Sequence, residues 1–342
     1  MQNLDHSRRL YLDLIKRCLL NMIYPQLEEV PSPATSVGFC DRLARALLKQ
    51  PSSPQSWPIF HDAQNELLTL STANRMEGRI WPLVAHTMIG LKRLANLEFC
   101  IEHVITNGVI GDLIETGVWR GGASIFMRAV LKAYGATDRS VWLADSFEGL
   151  PPPDTGKYPH DADSRLHESR ELAVSLEQVQ ANFERYGLLD GQVRFLKGWF
   201  CDTLPAAPIE HLAVLRLDGD MYQSTMDALV NLYPKLSEGG YVIVDDYGCI
   251  SACRQAVHDY RSADGITERI HNIDWTGVFW QKGNSTSTKS PSPSRTNPSR
   301  KAIEPRGLSV ADGSPNGSSA LDNVITSYSN NTRPVRVPCR DD

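Results

Sequence analysis

The chain has 342 residues, of which 41% are hydrophobic and 22% charged, which is enough apolar material for a sizeable core and excludes wholesale disorder. With 35 basic against 40 acidic side chains its formal net charge is -5, so nothing drives the whole surface toward nucleic acid. No apolar run reaches the about eighteen residues of a spanning helix, and the charged opening MQNLDHSRRLYLDLIKRC lacks a small-residue cleavage site; the expectation is a cytoplasmic protein with no membrane partner.

Residues 1–105 read as a helical region. LDLIKRCLLNMI (12–23), FCDRLARALLKQ (39–50) and WPLVAHTMIGLKRLANLEFCIEHVI (81–105) repeat apolar residues at intervals of three and four, and the linker QPSSPQSWP separates the last two. From 106 to 282 the period changes to short β-type runs: IGDLIETG, SVWLADSF, QVRFLKG, LAVLRLDGD, GGYVIVDDYG, ERIHNI and TGVFWQK. The segments between them, GASIFMRAVLKAYG, LEQVQANFERYGL, TMDALVNLYPKLSEGG and ACRQAVHDYRS, are helical in pattern. This alternation predicts an α/β fold, a mostly parallel seven-stranded sheet with helices on both faces. Residues 283–342 hold twelve serines and seven prolines without apolar period and read as a disordered tail; its eight basic and five acidic residues leave a charge of -8 on the rest.

Seven cysteines, at 18, 40, 100, 201, 249, 253 and 339, are odd in number and never spaced CxxC, which argues against a disulfide framework or structural zinc. Cys249 and Cys253 are the one close pair, and helical spacing would make them ordinary packing residues facing the same way.

In open α/β sheets ligands collect at the carboxyl ends of the strands. At the end of the first strand, ETGVWRGG places Glu115 before a turn holding Gly117, Gly121 and Gly122, where bare backbone can approach a ligand. The spacing is not G-x-G-x-x-G, and a carboxylate there would repel a pyrophosphate while favouring an ammonium or sulfonium group. S-adenosylmethionine therefore fits better than NAD, with a purely structural strand-to-helix turn as the competing account. Asp145, ending the second strand, suits ribose hydroxyls, or else caps a following helix; Ser146 suits the adenine or sugar edge. Gly198 and Trp199 after the third strand suit the flank of an adenine ring, with core packing of the indole as the alternative.

LRLDGDMY and VIVDDYG end neighbouring strands in Asp218 and in Asp245-Asp246. Adjacent strands lie about 4.8 Å apart, so three carboxylates would converge. Such a cluster needs protons or a cation, and an all-oxygen set favours Mg2+; solvated strand-end acids are the other possibility. Asp220 is an extra candidate better suited to a turn. His271 reads as a structural or surface histidine. His160, Asp161 and Asp163 belong to a proline- and glycine-bearing loop that is either a lid over the site or variable surface.

RLYLDLIKRCLLNMIY, HTMIGLKRLANL, LIETGVWRGGA, ADSFEGLP, KGWFCDTLP, LRLDGDMYQSTMDAL, GGYVIVDDYG and TGVFWQK, in this order over residues 8–282, together resemble the macrocin O-methyltransferase (TylF) family. The resemblance implies a class I methyltransferase (Rossmann-like) fold with an N-terminal helical lid and oligomer region. It implies a homo-oligomeric, S-adenosylmethionine- and Mg2+-dependent O-methyltransferase acting on a hydroxyl of a small molecule, such as a sugar of a secondary metabolite. Matched residue by residue, it assigns metal binding to Asp218, Asp245 and Asp246. It assigns cofactor binding to Glu115, Thr116, Gly117, Val118, Gly121, Gly122 and Asp145, and brings in Thr87 and Met88. Asp218 is the expected general base, with His271 and a metal-activated hydroxide as alternatives. A phenol or catechol acceptor would call for an aromatic wall from Tyr158, Trp57 and Phe60. A non-catalytic binding protein on the same fold is the third possibility, opposed by retention of the three acids.

Overall fold

A computed structural model of the chain describes residues 2–24 and 73–283, all within the unit Met1–Asn284. The expected helix at 39–50, Trp57, Phe60 and the tail beyond Gly283 lie outside these residues.

Seven strands form one sheet: β1 Asp112–Thr116, β2 Val141–Asp145, β3 Val193–Lys197, β4 Leu212–Leu217, β5 Leu236–Val244, β6 His271–Asn272 and β7 Val278–Gln281. Their order is β3-β2-β1-β4-β5-β7-β6. β1 to β5 run parallel, β7 is antiparallel to β5, and β6 to β7. The expected mostly parallel seven-stranded sheet is therefore present. The chain winds outward from β1 in one direction and from β4 in the other, so the crevice between their carboxyl ends is the switch point where such sheets hold ligands.

The alternation of side chains along a strand decides what each sheet face meets. Helices α1 (Gln2–Leu19), α2 (Gly90–Thr106) and α3 (Gly122–Tyr134) belong to one side: α2 packs over β4 and β5, α3 over β1 and β2, and α1 lies along α3. Arg8 of α1 stacks over the Tyr134 ring at 4.0 Å and its Nε donates to the Ala133 carbonyl at 3.1 Å. Three further helices are α4 (Leu176–Arg185), the single turn α5 (Phe200–Thr203) and α6 (Tyr222–Leu232), followed by α7 (Ser251–Asp264). On the second face Ala228, Leu229 and Leu232 of α6 and Cys253 and Val257 of α7 share a buried cluster with Ile114, Leu215, Leu217, Val242 and Val244. Each valine, leucine or isoleucine among them contributes about 1.5–3 kcal/mol on burial.

Two expected helices start or stop elsewhere. The pattern at 81–105 suggests one continuous helix, yet 81–89 is not helical and α2 begins at Gly90. Its backbone groups are spent on tertiary partners instead: the Pro82 and Ala85 carbonyls accept from Arg120 (3.3 and 2.8 Å), the His86 carbonyl from Gly122 N (3.0 Å), and His86 N donates to Leu19 O (2.9 Å). The helix expected at 225–240 begins earlier, at Tyr222, and ends at Leu232, because Pro234 cannot donate within a helix; Leu236 already belongs to β5.

Candidate functional site

The turn after β1 is built by close backbone approach. Gly117 has φ 86, and a Cβ there would overlap the Asp218 carbonyl, so only glycine lets this turn rest on the end of β4. Asp218 N donates to Thr116 O at 2.8 Å across the same junction. Gly122, the first residue of α3, leaves no room for a Cβ beside the His86 carbonyl and Thr87. Thr87 is therefore held against the turn, with its Oγ1 accepting from Ile89 N at 3.3 Å, and Met88 is half-buried next to it. Gly121, in a left-handed conformation at φ 86, is the residue before α3, and Thr116 is buried with its Oγ1 donating to Arg216 O at 3.4 Å.

Asp145 faces this turn. Its Oδ2 accepts from Val118 N at 2.6 Å and its Oδ1 from Phe147 N at 2.7 Å, so it ties the two strand ends together instead of capping a helix. Burial pushes its carboxyl up against the pull of these N–H groups. Ser146 is committed locally: its hydroxyl donates to Gly149 O at 2.6 Å and accepts from Glu148 N at 3.0 Å. Gly198 N donates to Asp145 O at 2.9 Å, and Trp199 is 37% exposed, a rim position that rules out core packing.

The acids at the ends of β4 and β5 converge. One carboxylate oxygen from each of Asp218, Asp245 and Asp246 lies within 4.8 Å of the others. Asp246 is 8% exposed and its Oδ2 has no hydrogen-bond partner. Its carboxyl is pushed well above the carboxylate range by burial and then by Asp220, Asp218 and Asp245, and Asp220 is raised in the same way. Asp218 is pushed up to about 6, mainly by burial. Mutually repelling oxygens of this kind, one of them unpartnered, fit a hard divalent cation.

Beneath the acids lies a polar layer that pattern reading missed. Glu115 and Arg216 are register partners on β1 and β4, on the face covered by α2 and α3. Arg216 is 1% exposed; its Nη1 donates to Glu115 Oε1 (2.9 Å) and Asp218 Oδ2 (2.6 Å), and its Nη2 to Asp245 Oδ1 (2.5 Å). Arg93 of α2 donates to the other Asp245 oxygen and to Asp274 Oδ2 at 3.0 Å. Glu115 is 2% exposed, and its second oxygen accepts from Ser124. Burial pushes Glu115 up to about 7, against Arg216 and Ser124. The signal for Arg216 was one charge between two leucines in LRLD, inward-facing by alternation and hence obliged to find buried acids.

The remaining candidates fall around this centre. Asp220 adopts φ 62, the turn position expected of it, yet it shares the field of the acids. Asp161 is buried and accepts from Tyr222 N (2.7 Å) and Gln223 N (3.0 Å), pinning its loop to the start of α6. His160 stacks on Tyr222 (5.0 Å between centroids), Tyr158 lies 6.1 Å from the same ring, and Asp163 is exposed. His271 is exposed on β6, with β7 between it and β5, and does not join the acids. Cys249 precedes α7, so the pair is not two residues of one helix; its Sγ lies 3.6 Å from Asp246 O, while Cys253 is buried in the core. Among the described residues no helix is long and apolar enough to cross a membrane.

Comparison with known proteins adds the lineage. Residues 8–282 match the family model described as macrocin-O-methyltransferase (TylF). The chain is 54% identical over 278 residues, 81% of its length and 94% of the relative's, to the 8-demethyl-8-(2,3-dimethoxy-alpha-L-rhamnosyl)-tetracenomycin-C 4'-O-methyltransferase of Streptomyces olivaceus. It is 49% identical over 276 residues, 80% of its length and 96% of the relative's, to the mycinamicin III 3''-O-methyltransferase of Micromonospora griseorubida. The solved structure of the O-methyltransferase NovP superimposes with a TM-score of 0.66 at 46% identity, covering 81% of this chain and all of that one.

Proposed function

The chain belongs to the macrocin-O-methyltransferase family and is an O-methyltransferase of class I fold, and from this premise we propose that it methylates a sugar hydroxyl of a secondary metabolite. S-adenosylmethionine is the methyl donor in this reading, and Mg2+ is held by Asp218, Asp245 and Asp246. The observation that carries the metal assignment is the unpartnered, buried Asp246 oxygen within the three-carboxylate cluster. The sugar acceptor rests on the relatives, whose names specify a rhamnosyl-bearing tetracenomycin and a mycinamicin.

The donor supplies an electrophilic methyl group, and the metal supplies positive charge that favours the ionised form of an acceptor hydroxyl. The protein's part is positioning and proton handling. Gly117, Val118, Gly121 and Gly122 present backbone to the donor, and Asp145, oriented by Val118 N, offers acceptors for ribose hydroxyls. Glu115, enclosed at 2% exposure, acts from beneath by holding Arg216. Thr87, Met88 and the exposed Trp199 border the crevice, while Thr116 and Ser146 shape its turns. Asp218 takes the proton of the attacking hydroxyl. Asp220 is the second reading for that role, favoured because no guanidinium among the described residues pairs with it, whereas Asp218 gives an oxygen to Arg216.

Residues 106–282 carry this chemistry, and the region to residue 105 closes over the site and mediates homo-oligomer contacts in the cytoplasm. Support for closure is the contact of His86 and Thr87 with Gly122. The test is transfer of labelled methyl from S-adenosylmethionine to a panel of deoxysugar glycosides and catechols, with Mg2+ or with EDTA. Labelled glycoside formed only with Mg2+ is the expected result; methylation confined to catechols would overturn the sugar assignment, and full turnover in EDTA the metal assignment.

A further inference from the structure

The Arg216 guanidinium is the one side chain among the described residues that bonds both halves of the site. It reaches Glu115 at the base of the donor turn and Asp218 and Asp245 at the metal cluster. We propose that Arg216 is a positioning residue that couples the two halves, so that binding of a divalent cation and binding of the methyl donor strengthen each other through it. The inference rests on the function proposed above.

The physical reason is shared ordering. Arg216 and Glu115 are register partners, so the side-chain pair is braced by two paired strands, β1 and β4. Glu115 is fixed in turn by Ser124 from α3, the helix whose first residue, Gly122, closes the donor turn. On the other side, Arg216 takes one oxygen from Asp218 and one from Asp245. A cation that draws Asp218 and Asp245 into one arrangement also fixes the guanidinium, and the guanidinium fixes Glu115 and the start of α3. The backbone repeats the link, since Gly117 rests on Asp218 with no room for a Cβ. Whichever ligand binds first bears the ordering cost, and the second then binds more tightly; by linkage the effect is equal in both directions.

Arg93 provides the contrast. It pairs with Asp245 and Asp274, both buried, but it does not reach Glu115. Losing Arg93 should change metal affinity without touching the coupling. A merely structural role for Arg216 would leave the ratio of affinities unmoved.

The experiment is calorimetric titration of the full chain with S-adenosylhomocysteine in EDTA and in saturating Mg2+, and with Mg2+ with and without S-adenosylhomocysteine. Wild type is expected to show a tightening of about fivefold or more, equal in the two directions. Arg216→Met is expected to bring the ratio to about one, and Arg93→Met to shift Mg2+ affinity with the ratio kept. If Arg216→Met does not fold, Glu115→Leu, which fills the space but removes the acceptors of Arg216 and Ser124, decides the matter by the same loss of ratio. Wild type binding both ligands independently, or a ratio unchanged in the Arg216 or Glu115 variant, would overturn the inference alone. Wild type binding neither ligand would overturn both the inference and the function on which it rests.

Discussion

Glu115 and Arg216 sit opposite each other on two adjacent parallel strands and form a buried ion pair, 2.9 Å between Oε1 and Nη1, directly beneath the acids at the sheet's carboxyl edge. Arg216 in turn reaches Asp218 and Asp245, so the pair braces the strand ends that carry the acids. Above it, one oxygen each of Asp218, Asp245 and Asp246 lies within 4.8 Å of the others.

Gly117 is a steric requirement. Gly117→Ala places a methyl group on the Asp218 carbonyl in a left-handed backbone, and is expected to cost about 3 kcal/mol or more, the sum of overpacking and backbone strain. Gly135→Ala has a similar φ, 66, but open space around it, so only the backbone cost of about 1 kcal/mol applies. Urea midpoints of the two variants measure the difference; equal losses would show that the close approach is not real.

Asp246 should oppose stability to function. Asp246→Asn removes a buried, partly unpartnered charge and its repulsion from Asp220, Asp218 and Asp245, and is expected to stabilise the metal-free protein by about 1–3 kcal/mol. The same change should weaken Mg2+ binding by about 10-fold or more. Thermal melts in EDTA and a Mg2+ titration read the two effects; a variant that melts lower yet keeps its Mg2+ affinity would contradict the metal assignment.

His86 makes folding sensitive to mild acid. Burial, then Arg185 and Arg120, lower its imidazole from 6.5 to about 4, so the unfolded chain takes up the proton first as pH falls. The stability it permits is complete above pH 6.5 and is lost progressively down to about 4. The gap in urea midpoint between wild type and His86→Gln, a variant that cannot titrate, should close or reverse over that window. A gap independent of pH would exclude His86 as the source.

Asp161 caps α6 from a distant loop, its two oxygens taking Tyr222 N and Gln223 N. Asp161→Ala should cost about 1–2 kcal/mol and free the loop around residues 151–175. Faster proteolysis in that loop, with the rest of the core intact, would be the local signature; uniform loss would point to global unfolding instead.

How much was legible can be judged from these same residues. The seven strands were visible because strand period and turn chemistry are local, and Asp218, Asp245 and Asp246 were visible because each follows an apolar run. The start of α2 was not: the apolar period through 81–89 is helical, but Arg120 and Gly122 claim its carbonyls from more than thirty positions away. Asp161 was only one acid in a loop, since a cap supplied by a residue sixty positions before its helix has no local spacing.

The order of apolar runs and glycines, and the acids ending those runs, determined the α/β class, the strand count and the three converging carboxylates. These depend on periods of two and about three and a half residues that a chain carries wherever it goes. Tertiary structure alone decided that Glu115 pairs with Arg216 on the neighbouring strand, that Arg216 and Arg93 reach the acids from below, and that Thr87 rests on Gly122. Burial and charge pairing are properties of neighbours brought together by folding, and no single segment contains them.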